Sequence, residues 1–337
     1  MRLLIVGQGL AGTLISHRAL QLGWDAHVID AGLPSASAVA AGMFNPMSFR
    51  RIVEVWEAEK HLRCMTETYR DLEGLLGVPL MHALPIHKCL PNEAYAAEWR
   101  KKAQSLHWLT PATDTHLQTG AVEGGGWIDL PLLLSAWRER LASAGRFEQR
   151  HLAAPDRSAL QAGQWDALVD CRGVHIKEDT ALTPLDIRVN RGELLTISAS
   201  AQAAPPTDSI LNFGKWTIPL GHGTWRLGAS YEWNRNDLDT TDATGELLIS
   251  KLSNQLGADP SDFNIEAHHA GLRPVSRDRR PAVGLHPGAR QWYVFNGLGT
   301  RGVLIGPRWA RYLCDLMNGK NAQNTVVQPS RLSIQHS

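Results

Sequence analysis

An apolar run that ends in glycine at the very start of the chain constrains the fold more than any other feature. Arg2 to Val6 (Arg-Leu-Leu-Ile-Val) reads as a strand buried on both faces, the pattern of a parallel sheet. It enters Gly7-Gln8-Gly9-Leu10-Ala11-Gly12, then a helical stretch with apolar residues at Leu14, Ile15, Ala19 and Leu22, stopped by Gly23. A second strand, Asp25 to Ile29, ends in Asp30. Strand, glycines, helix, strand and acid in this order form a dinucleotide-binding unit and differ from a glycine-rich turn without a ligand. Gly7 allows the tight turn, Gly9 lets a pyrophosphate approach the main chain, and Gly12 lets helix and strand pack closely. The phosphate then rests on the helix N-terminus, at Leu10 and Ala11, where free N–H groups favour negative charge. Asp30, about 18 residues after Gly12, is placed to accept both ribose hydroxyls. The motif alone leaves NAD and FAD both open.

The chain has 337 residues, enough for about two domains and a sizeable core. Its 34 basic and 33 acidic residues leave a formal charge of +1, so no global field draws it to nucleic acid or an acidic membrane. With 43% hydrophobic and 20% charged residues it is not a disordered, collagenous or coiled-coil chain. Cys64, Cys89, Cys171 and Cys314 lie far apart with no Cys-x-x-Cys pair, which signals neither a zinc site nor a disulfide framework and fits a reducing compartment. The first apolar run stops too early for a signal peptide, and no later run reaches the length of a membrane span. The expected location is the cytoplasm.

The other end of the chain narrows the choice of cofactor. Residues 271 to 284 read Gly-Leu-Arg-Pro-Val-Ser-Arg-Asp-Arg-Arg-Pro-Ala-Val-Gly. Trp292 to Phe295 reads as a strand entering a second glycine-rich turn at Gly297, Gly299 and Gly302, and a closing helix is expected from about Pro307 to Met317. With the N-terminal fingerprint, these segments resemble the D-amino-acid oxidase superfamily of FAD enzymes, which also holds glycine oxidase and sarcosine oxidase. The likeness spans nearly the whole chain and implies FAD rather than NAD.

A narrower likeness runs through Gly228-Ala229-Ser230-Tyr231, Gly271-Leu272-Arg273 with Arg277-Asp278, Leu298-Gly299-Thr300-Arg301-Gly302, and Pro329-Ser330-Arg331-Leu332. In that order they resemble the oxidase domain of the bifunctional enzymes that mature 5-methylaminomethyl-2-thiouridine in tRNA.

Between the ends, Ser35 to Pro46 is rich in small residues, which suits main chain passing close to a flat cofactor as well as it suits a surface loop. The resemblance implies that this stretch wraps the flavin, making Ala41, Gly42 and Met43 candidate contacts. Arg50-Arg51 reads equally as a solvated pair or an anion contact. Val55 to Gly77 carries Trp56, Leu62, Met65, Tyr69, Leu72 and Leu76 at helical spacing, an amphipathic helix with its stripe in the core. A second helix is expected around Leu132, Leu133, Trp137 and Leu141, with Asp129 as N-cap. Residues 166 to 170 read as a strand returning to the sheet, after which Gly173 faces the pyrophosphate; Cys171 and Arg172 are unusual for that position. Residues 188 to 197 and 215 to 231 read as antiparallel strands with a hairpin at Gly221-His222-Gly223, and Leu247, Leu248, Leu252 and Leu256 as a helix stopped by Gly257.

These readings predict an α/β protein: a Rossmann-like FAD-binding layer with an interleaved antiparallel-sheet substrate domain. Residues 1–45, 145–182 and 270–337 are assigned to the FAD layer, and 46–144 and 183–269 to the substrate domain.

The resemblance implies that Arg273 grips the carboxylate of an amino acid over the flavin, a task that suits its forked guanidinium; the bland alternative is a structural ion pair. Tyr231 reads either as a residue closing the substrate pocket or as a half-buried strand tyrosine. Gly297, Gly299, Thr300, Arg301 and Gly302 are candidate cofactor contacts, and Arg301 is also a candidate substrate contact. Thr300 stands where glycine oxidase carries a second arginine, which counts against a simple glycine oxidase. The pairs His268-His269 and His82/His87 have no acid or cysteine at ligand spacing, so no metal is expected. No cysteine lies in the Arg273 to Gly302 segment, so FAD is expected to be noncovalent.

The function these features imply is oxidation of a C–N bond in a small amino acid or N-alkylglycine by hydride transfer to flavin. One alternative puts the same chemistry on tRNA, removing carboxymethyl from carboxymethylaminomethyl-uridine; Arg277, Arg279, Arg280, Arg308 and Arg311 offer basic groups for such a partner. Another is a non-catalytic or electron-relay flavoprotein, which has no need of a carboxylate-binding arginine.

Overall fold

The computed structural model describes residues 1–111, 118–152, 163–178, 185–287, 289–320 and 324–333. The opening run forms β1 (Arg2–Val6), in which only Arg2 is exposed. Beside it lies β2 (Asp25–Asp30) in parallel, with Ile5 opposite Val28. In chain order the other strands of the two large sheets are β3 (Ile86–Cys89), β4 (Thr119–Val122), β5 (Phe147–Gln149), β6 (Ala167–Asp170), β7 (Ile187–Ala199) and β8 (Ile210–Asn212). They continue with β9 (Trp216–Gly221), β10 (Thr224–Gly228), β11 (Phe263–Ser276), β12 (Ala282–Leu285) and β13 (Trp292–Asn296).

One sheet has six strands in the order β5-β2-β1-β6-β13-β12, parallel except for the β12–β13 pair. The other has seven, in the order β11-β7-β10-β9-β8-β3-β4, antiparallel except where β8 meets β3. The chain therefore crosses from the parallel layer to the antiparallel layer twice and returns each time. The boundary expected at residue 270 falls inside β11, which pairs with β7 from Phe263 to Ser276, and the one expected at 182 lies outside the described residues.

Five of the described helices are those the sequence pattern anticipates. They are α1 (Leu10–Gln21), α2 (Ala58–Leu76), α3 (Leu130–Ser143), α4 (Asp242–Leu256) and α5 (Gly302–Met317). Asp129 caps α3, its carboxylate accepting the N–H of Leu132 at 3.1 Å, and Gly257 closes α4 with a φ of 67°. α2 begins at Ala58 rather than Val55, because Glu57 turns the chain with a φ of 51°. Trp56 therefore leaves the expected core stripe and is 39% exposed, between the ring of Trp309 and the guanidinium of Arg280. Met65, Tyr69 and Leu72 stay buried.

α5 starts five residues before Pro307, where the proline suggested its first turn. Pro307 sits in the second turn and forgoes one main-chain hydrogen bond. Close packing fixes the earlier start: a Cβ at Gly302 or Gly306 would come within 2.9 Å of Leu10 or 2.7 Å of Leu14, so these glycines bring α5 against α1. Helices α1, α2, α3 and α5 share one core with the parallel sheet, in which Leu3, Ile5, Leu14, Tyr69, Trp137 and Leu313 are buried. Each such side chain contributes about 1.5–3 kcal/mol by leaving water. Among the described residues, no helix is long and apolar enough to cross a membrane.

Candidate active site

The turn after β1 takes the form the glycines imply. Gly7 has a φ of +98°, and a Cβ at Gly12 would stand 1.8 Å from the Gly7 carbonyl oxygen. Asp30, at the end of β2, accepts the N–H of Gln8 on Oδ2 at 2.6 Å and that of Gly32 on Oδ1 at 2.8 Å. Each carboxylate oxygen keeps a further acceptor position. Ser37, which the sequence did not single out, accepts the Leu10 N–H at 3.1 Å and so reaches the N-terminus of α1 from 27 residues away.

From this turn a cavity of about 410 Å³ runs to Tyr231 and Arg273, lined by residues of both sheets. It gathers Gly7, Gly9, Leu10, Ala11, Asp30, Ala41, Gly42, Met43, Gly173, Tyr231, Arg273 and the turn from Gly297 to Gly302. Gly12 alone of the candidates lies behind the wall, where it serves the packing of α1 on Gly7.

The wall fits a long, flat cofactor. A Cβ at Gly9 would meet only Ser37 Oγ at 3.4 Å, and at Gly173 or Gly299 nothing closer than 3.9 Å, so space for side chains is left open along the cavity. Asn296 holds this wall together, donating to the Gly173 carbonyl at 2.8 Å and accepting the N–H of Gly297 at 2.7 Å.

The far end is cationic. Arg273, on β11, donates to Asn190 Oδ1 at 3.0 Å, and its guanidinium lies 4.9 Å from the centre of the Tyr231 ring. Gly192 makes room for it: a Cβ there would stand 2.2 Å from Arg273 Nη1. Burial lowers the pKa of this guanidinium, and no carboxylate of the described residues pairs with it, so the ion-pair alternative is not met among them. Arg301, the residue before α5, has no side-chain hydrogen bond or ion pair among the described residues; burial and the nearby Arg279 lower its pKa. Lys215 donates to the Ala229 carbonyl at 2.6 Å, its pKa lowered by burial and by the cations Lys251 and Arg273. Asp30 is the only acidic residue of the described lining, at the opposite end.

Tyr231 is 55% exposed at the mouth, and a buried ion network anchors its segment. Arg191 exchanges main-chain hydrogen bonds with Glu232 at 2.8 and 2.9 Å, and its side chain donates to Glu193 at 2.7 Å and to Glu232 at 2.8 Å. The histidine pairs are placed elsewhere: His268 Nε2 lies 2.7 Å from Glu193, and His82 stacks on Trp127. Of the arginines suggested for a basic surface, Arg308 is paired with Glu57 and Arg311 with Glu67, while Arg280 covers Trp56. Arg50 and Arg51 are exposed.

The sequence matches the family DAO, FAD dependent oxidoreductase, over residues 2–316. The chain belongs to this family of FAD-dependent oxidoreductases. Glycine oxidase of Pseudomonas aeruginosa is 27% identical over 52% of the chain and 44% of that protein. The tRNA 5-methylaminomethyl-2-thiouridine biosynthesis bifunctional protein of Polaromonas naphthalenivorans is 23% identical over 100% of the chain and 60% of that protein. The chain thus matches about half the length of these curated DAO-family relatives. Among solved structures, glycine oxidase from Geobacillus kaustophilus superposes with a TM-score of 0.77 at 19% identity, over 98% of each chain. Iminodiacetate oxidase from Chelativorans sp. BNC1 does so with a TM-score of 0.78 at 17% identity, over 97% of this chain and 99% of that one. These two likenesses extend the DAO fold to nearly the whole of the chain.

Proposed function

We propose that this protein oxidises a C–N bond of a small amino acid or N-alkylglycine, with noncovalent FAD as the hydride acceptor. One observation carries the reading: Arg273, a half-buried guanidinium without a carboxylate partner among the described residues, faces the same cavity as the dinucleotide turn. Its forked donors suit a substrate carboxylate.

Gly7, Gly9, Leu10, Ala11 and Asp30 would hold the dinucleotide, with Ala41, Gly42, Met43, Gly173 and the 297–302 turn along its length. FAD bound there supplies a ring that accepts two electrons as hydride from the carbon next to nitrogen. The chain's residues have little proton chemistry to do: the substrate amine must be neutral, and the imine product hydrolyses in water. Their work is to orient the C–H bond through Arg273 and to cover the site with Tyr231. Cys171 lines the cavity, but burial pushes its thiol far up, which disfavours the thiolate that a covalent tether would need.

The test is anaerobic mixing of the yellow protein with glycine, N-methylglycine and other small amino acids. Bleaching of the flavin by at least one is expected, and no bleaching by any would reject the reading. A second reading, removal of carboxymethyl from a modified tRNA uridine, draws on the match to the tRNA-maturing proteins across the full chain. The carboxymethylaminomethyl-uridine is itself an N-alkylglycine. Steeply salt-dependent tRNA binding with loss of the carboxymethyl group would favour it over the first.

A further inference from the structure

Two half-buried guanidiniums without a carboxylate partner among the described residues line the cavity, where a glycine-sized substrate needs one. Arg273 reaches it from β11 and Arg301 from the turn before α5. A bridge between Val275 and Leu298 joins these two segments, so the arginines stand on neighbouring pieces of one wall. Arg273 lies 4.9 Å from the centre of the Tyr231 ring, and each guanidinium has its pKa lowered chiefly by burial. Neither has a carboxylate partner among the described residues, whereas Arg172, also in the lining, is held by Asp170 at 2.6 Å. Arg301 has less than Arg273: no side-chain hydrogen bond is made to it, and Arg279 repels it.

A guanidinium partly withdrawn from water with no counterion is costly, and two of them on one wall add to that cost. A single carboxylate gripped by Arg273 answers only half of that imbalance. We infer that the substrate carries two anionic groups, one held by Arg273 and the second by Arg301, as in an amino acid whose nitrogen bears a second carboxylate arm. This rests on the proposed carboxylate role of Arg273 and adds to it a specificity-determining role for Arg301. The donors of Arg301, unused among the described residues, suit a carboxylate in a forked arrangement.

The test compares two unreactive analogues that lack the oxidisable nitrogen: thiodiacetate, with two carboxylates, and methylthioacetate, with one. Binding to the flavin-loaded protein is read from the change in flavin absorbance. Thiodiacetate is expected to bind about 10-fold or more tightly than methylthioacetate, the scale of one added charge-assisted contact. Arg301→Gln should lower thiodiacetate to the level of methylthioacetate, and Arg301→Lys should keep part of the difference, with circular dichroism confirming that each variant is folded and saturating FAD keeping each loaded. Equal affinities in the unaltered protein, or a preference that survives Arg301→Gln, would overturn the inference while leaving Arg273 as a single-carboxylate site. Failure of both analogues to bind would instead bring down the carboxylate reading itself, and this inference with it.

Discussion

Arg191 donates to Glu193 across 2.7 Å with both side chains wholly buried, beneath the segment that carries Tyr231 to the mouth of the cavity. The pair is completed by Glu232, by the N–H of Thr241 on Glu193 and by His268. This part of the antiparallel layer is thereby pinned by charge. Burial alone would raise the pKa of Glu193, but the Thr241 N–H and Arg191 outweigh it and hold it below the ordinary carboxylate value.

Removing one member of this network should be severe, since it leaves a buried charge unmatched. Arg191→Met is expected to lower stability by about 3–5 kcal/mol. Denaturant unfolding of the two proteins measures it, and a loss below about 1 kcal/mol would mean the pair is dispensable.

Gly9 and Gly12 should separate cofactor binding from folding. Gly9→Val adds atoms toward the cavity, where its Cβ meets only Ser37 Oγ at 3.4 Å, so the protein should fold but purify without flavin. Gly12→Ala puts a Cβ 1.8 Å from the Gly7 carbonyl and should damage the turn itself, giving low yield of folded protein. Absorbance at the flavin band together with circular dichroism distinguishes the two outcomes; full flavin loading in Gly9→Val would contradict the placement of the dinucleotide.

Arg273→Leu should retain flavin and weaken binding of carboxylate substrates by roughly 2–5 kcal/mol, the usual loss when one partner of a buried charge pair is removed. Gly192→Ala, which displaces the same guanidinium without removing it, should raise KM by a smaller factor. Steady-state kinetics with the substrate found by flavin bleaching decide both, and a change of less than about threefold in Arg273→Leu would sink the assignment.

His61, fully buried against Trp56 and Trp309, has its pKa lowered to about 4, first by burial and then by Arg308. The unfolded chain takes up the proton at about 6.5, so folding is favoured above that pH and loses stability as pH falls toward 4. The loss should be on the order of 3 kcal/mol. His61→Phe should flatten the stability curve between those two pH values; an unchanged slope would show that other groups set it.

The sequence by itself determined what depends on near neighbours along the chain. Gly7, the Asp129 cap, the Gly257 stop and the Gly221–Gly223 hairpin were all legible, because sterics and short-range hydrogen bonds act within a few residues of each. The dinucleotide turn belongs to the same class. The identity of Arg273 as a candidate came from its resemblance to known sequences, not from its neighbours, and its environment was decided only in three dimensions. Its partner Asn190 lies 83 residues away, and the room for its guanidinium is made by Gly192; both face it because β7 and β11 pair in one particular register. The half-burial of Arg301 and the exposure of Trp56 were equally out of reach, since a charged or aromatic side chain is buried or exposed by whichever distant element packs over it. The start of α5 followed the same rule: a local proline pointed to residue 307, and packing of Gly302 and Gly306 against Leu10 and Leu14 moved it to 302. Local chemistry proposes each element, and tertiary packing decides which charges it leaves facing the cavity without a partner.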